Sequence, residues 1–246
     1  MKWLSAVSQD LRGQDGMEIK IDEVKSRILA ASKKSTGQPV SLVLVSKTVS
    51  IERIVEAVRA GGHDFGENKV QELLSKKESL KQYPEAKNIR WHMIGNLQTN
   101  KVKLIIGECE MIHSLDRIDL VREIEKQAVV KKISAVKCLI QVNSTGEASK
   151  FGIRPEEVRQ LVSAISATSP VKICGLMTIG PTQGNESEIR RAFQSVRKLQ
   201  SELKVEFPDK SWDILSMGMS GDFEIAVEEG ATVVRVGSLI FGARKY

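Results

Sequence analysis

The feature that most constrains the fold is a regular alternation of short apolar runs with longer segments of helical period. Eight such runs follow residue 40. They begin at residues 41, 63, 89, 110, 136, 171, 212 and 232 and are SLVLVS, HDFGEN, IRWHMIG, EMIHSL, VKCLIQVNS, VKICGLMTIG, WDILSM and TVVRVGS. This alternation is typical of repeated βα units, whose strands pair in parallel. The sequence therefore predicts an α/β fold.

Eight βα units favour one closed (β/α)8 TIM barrel, which we place at residues 17–246, with an extra helix at its start from Met17. Residues 1–16 are predicted to be an N-terminal extension, for which disorder is one interpretation and organellar targeting another. The weakest strands are the second, which Gly66 interrupts, and the short fourth. Without either, an open doubly wound sheet becomes the competing fold.

Composition excludes several classes of protein. The net charge is +6, but 37 basic residues are interleaved with 31 acidic ones, so we expect no nucleic-acid partner, although the cationic segment from Lys69 to Lys103 keeps an RNA or acidic partner as an alternative. The 3 cysteines lack CxxC spacing, which predicts neither a disulfide framework nor a zinc site. No apolar segment reaches the length of a membrane span, so we expect a cytoplasmic protein. We also expect a monomer.

Common catalytic motifs are missing. The first predicted strand is followed by SKTVS rather than a glycine-rich loop, which argues against a Rossmann unit, and no GK[ST] P-loop occurs. GMSGD misses the nucleophile-elbow pattern at Ser220 by one residue. The histidines lie on or near separate predicted strands, which favours packed imidazoles over metal ligands.

Lys47 follows the first apolar run and shares the parity of Val43 and Val45, so its side chain is expected on their side of the sheet. A lysine there is either an end residue that reaches for solvent or a reactive amine. A desolvated lysine beside a second cation becomes nucleophilic near neutral pH. Arg235 supplies that cation within the eighth run, where it needs a partner such as Glu67 or a ligand atom.

Two loops at the predicted barrel mouth have the composition of a phosphate site. (β/α)8 barrels often hold phosphate in the loops after strands seven and eight. Here Ser216 and Gly218 follow strand seven, and Gly237 and Ser238 follow strand eight, offering hydroxyls and close backbone approach beside helix N-termini. In either loop alone, these glycines and serines are more simply explained as turn and helix-cap residues. Together with Lys47 and Arg235 they predict a phosphorylated aldehyde, pyridoxal 5′-phosphate (PLP), held as a Schiff base on Lys47.

Several blocks resemble the pyridoxal phosphate homeostasis proteins, also called the YggS/PROSC family. The blocks, spread in order from residue 41 to the C-terminus, are LVLVSKTVS, HDFGENKVQEL, IRWHMIGNLQTNKVK, GLMTIGP and LSMGMSGDFEIAVEEGATVVRVGSLIFGARKY. The resemblance implies a barrel similar to the N-terminal domain of alanine racemases. It also implies that Arg235 faces the pyridine nitrogen and that Asn68 lines the cofactor pocket. Ser238 stands where the family usually has threonine, which keeps the hydroxyl.

The resemblance implies a role in intracellular PLP (vitamin B6) homeostasis, with PLP-dependent apoenzymes as recipients. A permanent cation at the pyridine nitrogen makes the ring a weaker electron sink, and similar racemases take a second catalytic residue from an additional domain that we do not expect here. The sequence therefore predicts a carrier without substantial catalytic activity. The alternative is a low-activity PLP-dependent amino-acid racemase.

Overall fold

A computed structural model describes the backbone of residues 2–242 and the side chains of residues 16–242. The strands are β1 (Ser41–Val45), β2 (Asp64–Glu67), β3 (Arg90–Met93), β4 (Met111–Leu115), β5 (Val136–Val142), β6 (Val171–Thr178), β7 (Ile214–Ser216) and β8 (Val233–Val236). The helices are α1 (Lys2–Lys33), α2 (Ile51–Arg59), α3 (Val70–Leu80), α4 (Val102–Ile105), α5 (Ile118–Val130), α6 (Val158–Ser163), α7 (Glu186–Glu206), α8 (Phe223–Glu228) and α9 (Ser238–Phe241). Each strand coincides with one of the predicted apolar runs.

The strands form a closed parallel barrel in the order of the sequence, and β1 pairs with both β2 and β8. The predicted (β/α)8 barrel is therefore confirmed, including its second and fourth strands. Gly66 interrupts the apolar run of β2 for a steric reason. A Cβ at that position would lie 3.0 Å from side-chain atoms of both Val43 and Ile94.

The barrel has two distinct apolar layers. Alternate strand residues such as Ile112, Ile140 and Leu176 belong to the large cluster between the strands and the helices. A second, small cluster of Met111, Leu139 and Met177 comes from positions of opposite parity on the same three strands. Because successive side chains of a strand point to opposite faces, this small cluster fills the inside of the barrel.

Helix α1 begins at Lys2, earlier than the predicted start at Met17. Its described side chains join the large apolar cluster, and Arg27 donates to both carboxylate oxygens of Glu224 in α8 at 3.1 and 2.8 Å. The side chains of residues 1–15 lie outside the described part of the chain. The boundary at residue 16 therefore stays a prediction.

The described cysteines, helices and charged residues bear on the classes of protein considered above. Cys109, Cys138 and Cys174 are free thiols. Within the described residues, no helix has the length and apolarity needed to cross a bilayer, and no cluster of His, Cys, Asp or Glu could hold a metal ion. In the cationic segment 69–103, four cations form ion pairs: Lys76 with Glu67, Lys77 with Glu108, Lys81 with Glu78, and Arg90 with Asp64. Such pairing leaves less positive charge available for a polyanion.

Candidate functional site

A cavity of about 940 Å³ opens where the carboxyl ends of the strands meet. Its lining combines a primary amine, a guanidinium, amides, hydroxyls and glycine backbone with a few apolar side chains. The lining residues used below are Lys47, Asn68, Gln141, Phe151, Ile179, Met219, Ser220, Gly221, Arg235, Gly237 and Ser238. A concave site of this size with a few convergent polar groups is typical of small-molecule binding.

Lys47 lies two residues beyond β1, at the wall of this cavity. The next residue, Thr48, has a φ of 63°, in the left-handed region that residues other than glycine seldom adopt. Its backbone N–H donates to Oε1 of Glu72 over 2.6 Å. This contact from α3 holds the turn that follows Lys47.

A buried lysine of α3, Lys76, also holds this turn in place. Lys76 Nζ donates to the carbonyl oxygen of Ser46 and to Oε1 of Glu67, at 2.6 and 2.7 Å. It also pairs with Glu72 at 2.6 Å, while the Ser46 hydroxyl donates to Glu67 over 2.7 Å. We call Ser46, Glu67, Glu72 and Lys76 the lysine clamp. These contacts brace the backbone on both sides of Lys47.

Burial raises the pKa of Glu67, although hydrogen bonds from Lys76 and Ser46 oppose that shift. Burial also raises the pKa of Glu72, but hydrogen bonds from Lys76 and from the Thr48 N–H outweigh it, so the net shift is downward. In the lysine clamp, the Lys76 ammonium therefore contacts two carboxylates whose pKa values shift in opposite directions.

Arg235 lies inside the barrel near the carboxyl end of β8 and is 4% exposed. Its Nη1 donates to Ser216 Oγ over 2.8 Å and its Nη2 to the carbonyl oxygen of Thr178 over 2.9 Å. The expectation that Glu67 could pair with Arg235 is wrong. Glu67 has the parity of Phe65, which packs outside the barrel, and it bonds to Lys76 and Ser46 instead.

The guanidinium of Arg235 is thus buried with two neutral acceptors and, within residues 16–242, no ion-paired carboxylate. Burial lowers the pKa of Arg235 to about 10, and the charge of Asp222 opposes this shift. Arg235 remains a cation at neutral pH. A buried cation facing a cavity favours a ligand with an acceptor lone pair or a negative charge.

The loops after β7 and β8 meet at the cavity, as predicted. Gly237 and Ser238 line it, together with Ser220 and Gly221 from the loop after β7. Ser220 Oγ accepts a hydrogen bond from the Gly237 N–H at 3.3 Å, which ties the two loops together. Of the predicted residues, Lys47, Asn68, Arg235, Gly237 and Ser238 are lining residues.

Ser216 and Gly218 lie behind the lining rather than in it. Ser216 is fully buried, and its hydroxyl is hydrogen-bonded to Arg235 and His113. Gly218 has a φ of 93°, and a Cβ there would lie 2.9 Å from Cα of Phe223. Its carbonyl oxygen accepts from the backbone N–H of Arg235 over 3.0 Å. Both residues therefore support Arg235 and the loop.

Four residues that line the cavity, three apolar and one polar, were not predicted from the sequence. Phe151 and Met219 are exposed at 61% and 40%, and Ile179 and Gln141 complete this side. Gln141 and Ile179 follow strand parity near the carboxyl ends of β5 and β6, so that signal was available. Phe151 lies in an irregular loop, where no periodic pattern could place it.

The fold and the cavity together define a (β/α)8 barrel that presents a lysine amine and a buried arginine at the carboxyl ends of its strands. The family described as alanine racemase, N-terminal domain, matches residues 19–245. Among curated relatives, a protein of Aquifex aeolicus is 44% identical over 92% of this chain and 98% of its own length. One of Escherichia coli is 36% identical over 91% and 95%. Both are named pyridoxal phosphate homeostasis protein, and the chain belongs to that family.

Solved structures agree with this assignment. PipY of Synechococcus elongatus, with PLP bound, is 31% identical, covers 92% of this chain and 100% of its own, and superposes with a TM-score of 0.81. An alanine racemase of Clostridium difficile is 10% identical over 94% of this chain and 57% of its own, with a TM-score of 0.74. The second likeness is one of fold alone.

Proposed function

We propose that this chain binds pyridoxal 5′-phosphate at the barrel mouth, with Lys47 as the covalent attachment point, and serves in PLP homeostasis. The observation that supports this most directly is the shared cavity of Lys47 and Arg235, a primary amine and a buried cation. When bound, the cofactor supplies an aldehyde that condenses with a primary amine and releases water. The match to relatives that carry the homeostasis name covers nearly the whole length of those relatives.

The donor set of the cavity fits this cofactor. The hydroxyls of Ser220 and Ser238 and the backbone N–H of Gly221 can donate hydrogen bonds to a phosphate group. A Cβ at Gly221 would meet nothing within 4 Å, so the loop leaves open space beside these donors. Asn68, half-buried after β2, can bond a polar ring substituent.

Arg235 supports a carrier rather than an efficient enzyme. A cationic N–H that donates a hydrogen bond to the pyridine nitrogen disfavours protonation of that nitrogen, which weakens the ring as an electron sink. Thr178 and Ser216 already bind two of its nitrogen atoms, so its orientation is fixed. We propose that the protein releases PLP to apoenzymes or to free amines and does not turn over amino acids at enzymatic rates.

The competing function is a slow amino-acid racemase, which would exchange the substrate α-proton with solvent. Amino acids incubated with the PLP-loaded protein in deuterium oxide, and analysed by mass spectrometry, separate the two. A carrier gives incorporation no faster than free PLP at equal concentration. Incorporation at typical enzyme rates, roughly 1 s⁻¹ or more, would refute the carrier proposal.

Delivery is tested by mixing the loaded protein with a PLP-dependent apoenzyme and a trap for free PLP. We expect the apoenzyme to recover activity despite the trap. Complete suppression by the trap would show release into solution only. We further propose a cytoplasmic monomer, as expected from the sequence. Light scattering with and without PLP tests the oligomeric state, and a dimer in both conditions would contradict it.

A further inference from the structure

A continuous chain of hydrogen bonds crosses the inside of the barrel, from the cavity to the opposite face. Arg235 Nη1 donates to Ser216 Oγ over 2.8 Å, and this oxygen lies 3.1 Å from Nδ1 of His113. Nε2 of His113 lies 2.9 Å from Nδ1 of His92, whose Nε2 lies 3.0 Å from Oδ1 of Asp64. Asp64 is the first residue of β2, so the chain ends at the amino-terminal face. We call these five residues the through-barrel chain.

These polar groups occupy positions that the barrel otherwise fills with apolar side chains. His113 and Ser216 are fully buried and His92 is 7% exposed. Polar groups buried without partners are costly, so an interior of this kind is stable only when each donor meets an acceptor. In the through-barrel chain every ring nitrogen of both histidines has a partner.

While both imidazoles are neutral, the two ends of the chain fix the direction of its hydrogen bonds. Arg235 can only donate, so Ser216 Oγ accepts from it and has its own hydrogen left for His113 Nδ1. His113 is then protonated at Nε2 and donates to His92 Nδ1, which leaves the proton of His92 on Nε2. That proton meets the carboxylate of Asp64, which Arg90 binds from the surface at 2.6 Å.

We propose that Asp64, His92 and His113 are positioning residues that hold the Ser216 hydroxyl as the acceptor for Arg235, and that they couple the amino-terminal face of the barrel to the cofactor cavity. The coupling to a cofactor rests on the proposed function, whereas the tautomers of the two histidines do not. The chain acts as a lock on the guanidinium orientation.

A proton added to His92 would break this direction. With hydrogens on both nitrogens, His92 would face Nε2–H of His113, so the bond is lost unless the His113 proton moves to Nδ1. Ser216 would then accept from both His113 and Arg235 and lose the acceptor for its own hydrogen. In either case the partner of Arg235 is disturbed.

The charges around His113 favour the neutral state that the chain requires. Burial holds the pKa of His113 well below its ordinary value, and the nearby His92 and Arg235 act in the same direction. The carboxylate of Asp64 opposes them. Asp222, the other charged group that acts on Arg235, lies in the loop before α8.

The first test uses the protein without cofactor. Long-range ¹H–¹⁵N NMR of the imidazoles at about pH 7.5 distinguishes the two neutral tautomers and the imidazolium. We expect both His92 and His113 as neutral rings protonated at Nε2. Protonation of His113 at Nδ1, or a charged His92, would overturn the proposal, and this result does not depend on whether PLP binds or on any variant folding.

The second test uses Asp64→Asn, whose amide can donate to His92 Nε2 and so permits the reverse direction. We expect a changed tautomer of His92 or His113 and weaker PLP binding by about threefold to tenfold, the equivalent of one net hydrogen bond. Arg90→Gln is the matched control, since it removes the other partner of Asp64 and leaves the His92 contact in place. It should keep wild-type tautomers and affinity.

Wild-type tautomers and affinity in Asp64→Asn would overturn the coupling, as would an equal loss of affinity in Arg90→Gln. Absence of PLP binding to the wild-type protein would instead refute the proposed function. In that case the tautomer measurement still decides whether the through-barrel chain has the proposed direction.

Discussion

The ammonium of Lys76 donates a hydrogen bond over 2.6 Å to the carbonyl oxygen of Ser46, the residue directly before Lys47. A buried side chain of α3 thus determines the path of the backbone that presents the proposed attachment lysine. Lys76 is 8% exposed at its side chain and Glu67 is fully buried, so their ion pair is part of the protein interior. The interior contacts of Lys76 therefore stabilise the turn that presents Lys47 to the cavity.

Replacing Lys76 with methionine should destabilise the fold by about 3–5 kcal/mol, because Glu67 would remain as a buried carboxylate without its cation. Glu67 Oε2 has no hydrogen-bond partner among the described residues, so the loss at Oε1 is not compensated locally. Urea unfolding of the cofactor-free variant measures the change.

Lys77→Met is the matched control for that variant, since the neighbouring lysine pairs with Glu108 at a half-exposed position. We expect its cost to be under about 1 kcal/mol. Equal destabilisation by the two substitutions would show that the lysine clamp does not have the stabilising role described here.

Stability should fall as pH drops below about 6.5, with His113 as one named cause. The pKa of His113 lies well below its ordinary value of 6.5 because of burial, so the unfolded chain binds a proton that the folded protein does not. Unfolding is therefore favoured as the pH falls from about 6.5 to 5, at up to about 1.4 kcal/mol per pH unit.

His113→Gln should reduce that slope, whatever its effect on absolute stability, and urea titrations at several pH values measure it. His63→Gln removes an exposed imidazole and serves as the control. A slope that is the same in His113→Gln and wild type would contradict the neutral buried state of His113.

The two glycines of the loop after β7 should respond differently to alanine. Gly218→Ala forces a Cβ to within 2.9 Å of Cα of Phe223 at a φ of 93°, which we expect to cost about 3 kcal/mol of stability. Gly221→Ala meets no atom within 4 Å and should keep stability within about 0.5 kcal/mol.

Because Gly221 lines the cavity, its alanine variant should instead weaken PLP binding. Calorimetric unfolding and a PLP titration of both variants provide the comparison. Loss of stability in Gly221→Ala, or a fully stable Gly218→Ala, would contradict these assignments.

The barrel was predictable because eight short apolar runs alternate with segments of helical period, and runs such as that of β1 are apolar at both parities, as expected of strands with the barrel core on one side and helices on the other. Strand parity also placed Lys47 and Arg235 at one mouth. The same rule, applied to Glu67 and Phe65, excludes Glu67 from the barrel interior, so that error could have been avoided.

Other features of the site depend on contacts between distant segments. From the sequence, the Ser216 hydroxyl is a reasonable phosphate ligand. Only the position of Arg235 beside it shows that this hydroxyl faces inward. The link between His92 and His113 joins residues of two strands through their side chains. A sequence contains no signal for which imidazole nitrogen faces which partner.

Covalent capture of the cofactor tests whether Lys47 is its attachment point. The protein is loaded with PLP, reduced with borohydride, digested, and analysed by peptide mass spectrometry alongside Lys47→Ala. We expect a single modified peptide, with the pyridoxyl mass on Lys47, and no stoichiometric modification of the variant. Modification of another lysine, such as Lys69 at the same cavity, or an unmodified wild-type protein, would contradict it.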